Sequence, residues 1–242
     1  MNIVLLGATG GIGSSLSNHL SEKNNLFLGS RREQELSSLV NKIETNNNIN
    51  YSKVDITDFE SIDNFILKSN EYLGSIDCII NCAGSLLLKP AHLTTINDLD
   101  SVFKTNIYSC FGIIRSSFKF LKDKGGSLLL FSSAASKIGL KNHEAISSAK
   151  GAISSFVASA ASTYASNNIR INAIAPGLTE TPLTKRITGN STALEYSKNM
   201  HGLKRIGKPA NFIPIIDSII DKRSDWITGQ TFYIDGGLSN IK

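Results

Sequence analysis

Apolar residues fall into two alternating kinds of run along this chain. Short blocks such as Ile3-Val4-Leu5-Leu6 and Leu128-Leu129-Leu130-Phe131 are apolar at consecutive positions, as strands covered on both faces are. Between them lie longer stretches with apolar residues at threes and fours, the period of a helix with one buried face. The pattern predicts strands at 2–6, 25–29, 51–54, 76–81, 127–131, 169–173 and 231–234, and helices at 12–22, 32–45, 59–72, 96–122, 144–165 and 210–220. The fourth helix shows Leu99, Val102, Phe103, Ile107, Ile114, Phe118 and Leu121 on one face and stops at Gly125-Gly126. Strand and helix in alternation imply the α/β class, a doubly wound parallel sheet of seven strands. No Pro/Gly/Ser-rich linker or internal repeat divides residues 1–242, so a single domain is expected. Only 178–208 lacks a strand or helix pattern, and it falls where a lid would cover the carboxyl end of the sheet.

Composition narrows the function classes. The 242 residues are 41% hydrophobic and 19% charged, and a chain of this length buries roughly 70% of its unfolded surface without staples. The 25 Lys+Arg against 20 Asp+Glu give +5, a mild bias with scattered bases rather than the concentrated basic face of a nucleic-acid reader. Cys78, Cys82 and Cys110 are odd in number and lack metal-ligand spacing, so neither a metal site nor a disulfide framework is expected. No apolar run reaches the length of a membrane span and no charged leader precedes Ile3, which makes a cytoplasmic protein with a small-molecule substrate the expectation.

The chemistry begins directly after the first strand, at Gly7-Ala8-Thr9-Gly10-Gly11-Ile12-Gly13. Glycines at a strand-to-helix turn let the backbone approach a pyrophosphate, and the helix start offers free N–H groups and a positive dipole end. The second strand runs into Ser30-Arg31-Arg32, with no carboxylate until Glu33. A carboxylate there would accept from the ribose 2′-hydroxyl of NAD, whereas arginine offers donors to a 2′-phosphate, so NADP(H) is expected over NAD(H).

These residues resemble the short-chain dehydrogenase/reductase family, and the resemblance covers essentially the whole chain. Gly7, Thr9, Gly11, Ile12 and Gly13 match its glycine motif, Asp55-Ile56 its adenine-contacting position, and Asn81, Ala83 and Gly84 its turn after strand four. Pro176, Gly177, Thr179 and Thr181 resemble the segment that holds the nicotinamide end. Asn106, Ser133 and Lys150 fall at its catalytic asparagine, serine and lysine. The resemblance implies a Rossmann-type fold, a nicotinamide cofactor and a homodimer or homotetramer built through the two long helices. In that role Lys150 would also hold ribose hydroxyls, Ser133 would orient a substrate oxygen, and Asn106 would hold a water in a proton path.

One position departs from the pattern. The family's proton donor is a tyrosine four residues before the lysine, and here that place is Ile146, with no tyrosine between Tyr108 and Tyr164. Positioned acid catalysis is worth about 10²–10⁴ in rate, so another donor has to be found. His143, seven residues before Lys150, is the best substitute, since its ordinary pKa near 6.5 suits proton transfer at neutral pH. Three readings stay open: an NADP(H)-dependent oxidoreductase using His143 or a water as acid, a nucleotide-binding sensor or partner protein, and a non-redox, dehydratase-like pocket.

Overall fold

A computed structural model describes residues 1–241 as one α/β unit. Seven strands, β1 (Asn2–Leu6), β2 (Asn25–Ser30), β3 (Ile49–Lys53), β4 (Cys78–Asn81), β5 (Gly126–Phe131), β6 (Ile169–Pro176) and β7 (Thr231–Ile234), form one sheet in the order β3-β2-β1-β4-β5-β6-β7. Every pairing is parallel. Successive strand side chains point to opposite faces, so an apolar run feeds two cores. Val4, Leu6, Ile79 and Leu128 pack on one face with α3 (Phe59–Leu73), Ile3, Leu5, Ile80 and Leu129 on the other with α1 (Gly11–Ser21), and all eight are fully buried.

The helices depart from the sequence pattern in three places. The second, α2, spans only Glu33–Val40, because Asn41 and the asparagine-rich residues after Thr45 are poor helix formers. The long fourth helix is three pieces: α4 (Ile96–Phe103), a π turn (Lys104–Tyr108) and α5 (Ser109–Leu121). The π turn leaves the spacing of apolar residues nearly intact, so periodicity does not reveal it. After α6 (Glu144–Tyr164), the segment predicted to be irregular folds as a 3₁₀ turn at Pro182–Thr184, α7 (Lys185–Thr188) and α8 (Ser191–Met200), before α9 (Ile213–Ile220). No residue of α8 is buried, so α8 carries no apolar stripe for the sequence to show. Among the described residues no helix is long and apolar enough to cross a membrane.

Candidate active site

The strand order reverses between β1 and β4, and ligands of open parallel sheets bind outside the carboxyl ends of strands at that point. The glycine turn leaves β1 there. Gly7 has φ +76°, and its N–H donates to Gly29 O at 2.8 Å. A Cβ on Gly7 would lie 2.5 Å from Ala83 N, and one on Gly13 would lie 2.1 Å from Gly7 O. No side chain caps α1 and no acidic residue sits in its first turn, so the backbone N–H groups at its start have neither an internal partner nor a competing anion. These features fit a pyrophosphate.

Beside the glycine turn lie the ends of β2 and β3. Thr9 Oγ1 and Ser30 Oγ share a hydrogen bond of 2.8 Å, tying the glycine turn to β2. Arg32 pairs with Glu35 at 3.0 Å, whereas Arg31 is exposed without an ion pair among the described residues. Asp55 Oδ1 accepts from Thr57 N at 2.9 Å and Thr57 Oγ1 at 2.7 Å. Those bonds, with the nearby Arg31 charge, hold its carboxyl below the usual range despite partial burial. Ile56 is buried beside it, 6% exposed.

At the other end, Asn81 Oδ1 accepts from Ala83 N at 3.1 Å and shapes the turn after β4. Gly84 sits where two side chains converge: a Cβ on it would meet Asn106 Oδ1 at 3.1 Å and Lys150 Nζ at 3.3 Å. Asn106 lies in the π turn, 1% exposed, and its amide donates to Ser85 Oγ (2.9 Å) and Val102 O (2.8 Å). Lys150 is 8% exposed and donates to Phe131 O at 2.7 Å. Burial lowers its ammonium to about 8, while burial pushes the neighbouring Cys110 thiol up to about 12 and Cys82 upward as well. Ser132 Oγ, facing α6, donates to Lys150 O at 2.8 Å, while Ser133 Oγ accepts from Ala135 N at 3.1 Å and keeps its own proton free to donate.

The lysine makes a stability prediction. Its ordinary value is 10.5, so below about pH 8 both folded and unfolded chains carry its proton and the full cost of burying the charge is present. Above about 8 the folded chain has released that proton and the unfolded chain has not, so stability rises with pH. From 9.0, the ordinary thiol value, the unfolded cysteines ionise and oppose the rise. Lys150→Met should therefore raise stability at pH 7 by on the order of 1–3 kcal/mol and flatten the slope between about 8 and 9. Urea unfolding at several pH values checks both; a wild-type curve with no rise there would refute the assignment.

His143 stands apart from this cluster. It is the N-cap of α6, half-buried, with Nδ1 at 2.8 Å from Lys141 O. Two helical turns, about 10 Å of rise, separate it from Lys150 along the helix. Among the described residues it makes no hydrogen bond to Lys150, Ser133 or Asn106. Ile146 is 3% exposed and packs with Val102, Ala149, Leu86, Leu87 and Phe103, so the place of a tyrosine is an apolar wall.

In the segment after β6, Thr179 Oγ1 donates to Gly177 O at 3.0 Å, and Gly177 N donates to Ile234 O at 3.2 Å, continuing from Pro176 at the end of the strand. Thr181 reaches the glycine turn, its Cβ only 2.7 Å from where a Cβ on Gly11 would stand. Ser85, Ser132, Cys82 and Cys110 are parts of the site that the motif reading missed. Only Ser132 carried a signal, since adjacent serines at a strand end must face opposite sides.

Comparison with known proteins places this geometry. A family model described as enoyl-(acyl carrier protein) reductase matches residues 7–239. A 3-oxoacyl-(acyl-carrier-protein) reductase of Buchnera aphidicola is 30% identical over 240 residues, 97% of this chain and 96% of that protein. A chloroplastic tropinone reductase homolog of Arabidopsis thaliana is 31% identical over 172 residues, which are 71% of this chain but 53%, about half, of that protein. A solved short-chain type dehydrogenase/reductase from Mycobacterium ulcerans shares the fold with a TM-score of 0.93 at 21% identity, covering 99% of this chain and 90% of that one.

Proposed function

The chain belongs to the short-chain dehydrogenase/reductase family, and on that premise we propose that it is an NADP(H)-dependent oxidoreductase acting on a carbonyl/alcohol pair or a conjugated C=C. The observation that carries the reading is the order of features along the carboxyl ends of the strands: an uncapped α1 start at the switch point, Arg31 without an ion pair among the described residues on one side, and Lys150 with Asn106 beside Gly84 on the other. The cofactor, when bound, supplies or takes the hydride. Gly7, Gly11, Ile12 and Gly13 hold the pyrophosphate, Thr9 and Ser30 steady the turn, and Arg31 with Arg32 takes the 2′-phosphate. Asp55 and Ile56 border the adenine, Asn81, Ala83 and Gly84 the nicotinamide ribose, and Pro176, Gly177, Thr179 and Thr181 the nicotinamide.

Reduction of a carbonyl needs a proton on oxygen as the hydride reaches carbon, and Ile146 has none to give. Ser133 donates a hydrogen bond to the substrate oxygen, and Lys150 keeps a positive charge beside it. The proton comes from His143 or from a water held between Lys150 and Asn106. His143→Ala separates the two donors: a loss of about 10²-fold in kcat at neutral pH identifies the histidine, and unchanged turnover removes it. Leu86, Leu87 and Ile146 make the substrate wall apolar. We further infer a homo-oligomer paired through α5 and α6, where the half-exposed Phe111 packs edge-on to Phe156 with ring centroids 4.8 Å apart.

NADPH fluorescence should rise on mixing with the protein, and a panel of ketones and enones should then show turnover. Absence of NADPH binding sinks the reading; binding without turnover of any member turns it into a nucleotide sensor. Arg31→Asp should weaken NADPH by about tenfold or more and bring NADH to parity, because a carboxylate repels the 2′-phosphate and accepts from a 2′-hydroxyl. Unchanged nucleotide preference would remove Arg31 from that role.

A further inference from the structure

At the amino ends of the central strands, opposite the cofactor crevice, lies a second concavity of about 810 Å³. That volume is within the range of small-molecule sites. Asp77, Lys124, Ser127, Arg170, Lys222 and Trp226 contribute to its walls. Hydride chemistry makes no use of this end of the sheet.

Three of these residues are left without an internal partner. Trp226, the single tryptophan of the chain, is 97% exposed, although burying an aromatic ring is worth about 1.5–3 kcal/mol. Lys124 is exposed at the rim and makes no ion pair among the described residues, Asp77 acting on it only from beyond ion-pairing distance. Ser127 is 3% exposed and its hydroxyl has no hydrogen-bond partner among the described residues, the weakly polar Cys78 thiol being its neighbour.

The other charges are already engaged. Lys222 pairs with Asp77 at 3.1 Å, and Asp77 also accepts from Asn2 N at 2.8 Å. Arg170 donates to Ile219 O (2.8 Å) and Ile227 O (2.9 Å), closing the end of α9, and its charge faces Asp225. What remains is one cation without an ion pair, one bare aromatic ring and one buried hydroxyl around a common space. We propose that this cavity binds a planar aromatic anion, its ring against Trp226 and its anionic group on Lys124. Ring stacking and charge attraction act together there, and neither an aliphatic anion nor a neutral ring can use both.

Trp226 being the only tryptophan, its emission reports this cavity. Benzoate and adenosine 5′-monophosphate separate the two sources of such a ligand, a free aromatic acid and a nucleotide. At least one should change the emission saturably, with the midpoint raised about tenfold or more by Lys124→Gln and raised by salt. NADPH binding, read by nucleotide fluorescence at the other end of the sheet, should be unchanged in Lys124→Gln. Non-saturating quenching by both probes, equal saturation by benzyl alcohol and adenosine, or a midpoint indifferent to Lys124→Gln would each overturn the proposal.

Discussion

Replacing Ile146 with tyrosine is expected to raise ketone reduction with NADPH by about two orders of magnitude in kcat/KM. Residues four apart share a helix face, so the new phenol leaves α6 on the side from which Lys150 projects. A buried ammonium beside a phenol favours its ionised form and makes it the better proton donor to a developing alkoxide. Because that ammonium titrates near 8, the gain should be largest below pH about 8 and shrink above it as Lys150 loses its charge. The wall of Leu86, Leu87, Val102 and Phe103 must open to accept the ring, at a cost of about 1–3 kcal/mol in stability. Steady-state kinetics on a ketone panel at two pH values, with urea unfolding alongside, measures all three effects. A variant that binds NADPH and shows no gain on any ketone would mean that the remaining groups do not serve carbonyl reduction.

Gly13→Ala should abolish NADPH binding and destabilise the fold by about 2–4 kcal/mol. Its Cβ would stand 2.1 Å from Gly7 O, which is backbone and cannot rotate aside. Relief requires α1 to move away from β1, taking with it the N–H groups proposed to hold the pyrophosphate. Gly10→Ala in the same turn is the control, since its Cβ meets only Gly7 O, at 3.2 Å, and little change is expected. Nucleotide titration and urea unfolding of the pair test the contrast; equal binding by both variants would contradict the cradle.

The sheet was legible because parallel strands are apolar on both faces, so β1 and β7 have the bounds the pattern predicts and the others shift by one to three residues. Asn106 shows the limit of periodicity. The residue is visible in the sequence, but the π turn that carries it changes backbone hydrogen bonding without moving apolar residues off their face. The spacing of His143 from Lys150 does not say where an imidazole at a helix start points; its Nδ1 lies against its own loop. The segment 178–208 resisted for another reason: α8 buries none of its residues, and burial is what writes a helix into hydropathy. The depressed ammonium of Lys150 comes from burial, which outweighs the opposing pull of Cys82 and Cys110; these, like its acceptor Phe131, arrive from other segments, information that no local window contains.

The pairing of β1 has a consequence for the order of events at the ribosome. Asn2 N bonds to the Asp77 carboxylate 75 residues away, and Ile3 registers with Cys78. Until β4 has emerged, β1 can pair only with β2, its other edge is open, and the glycine turn lacks the Ala83 backbone against which Gly7 is pressed. A nascent chain stalled before Asn81 therefore has one edge of β1 unpaired and the glycine turn unsupported, and that open strand edge is a template for pairing with other chains.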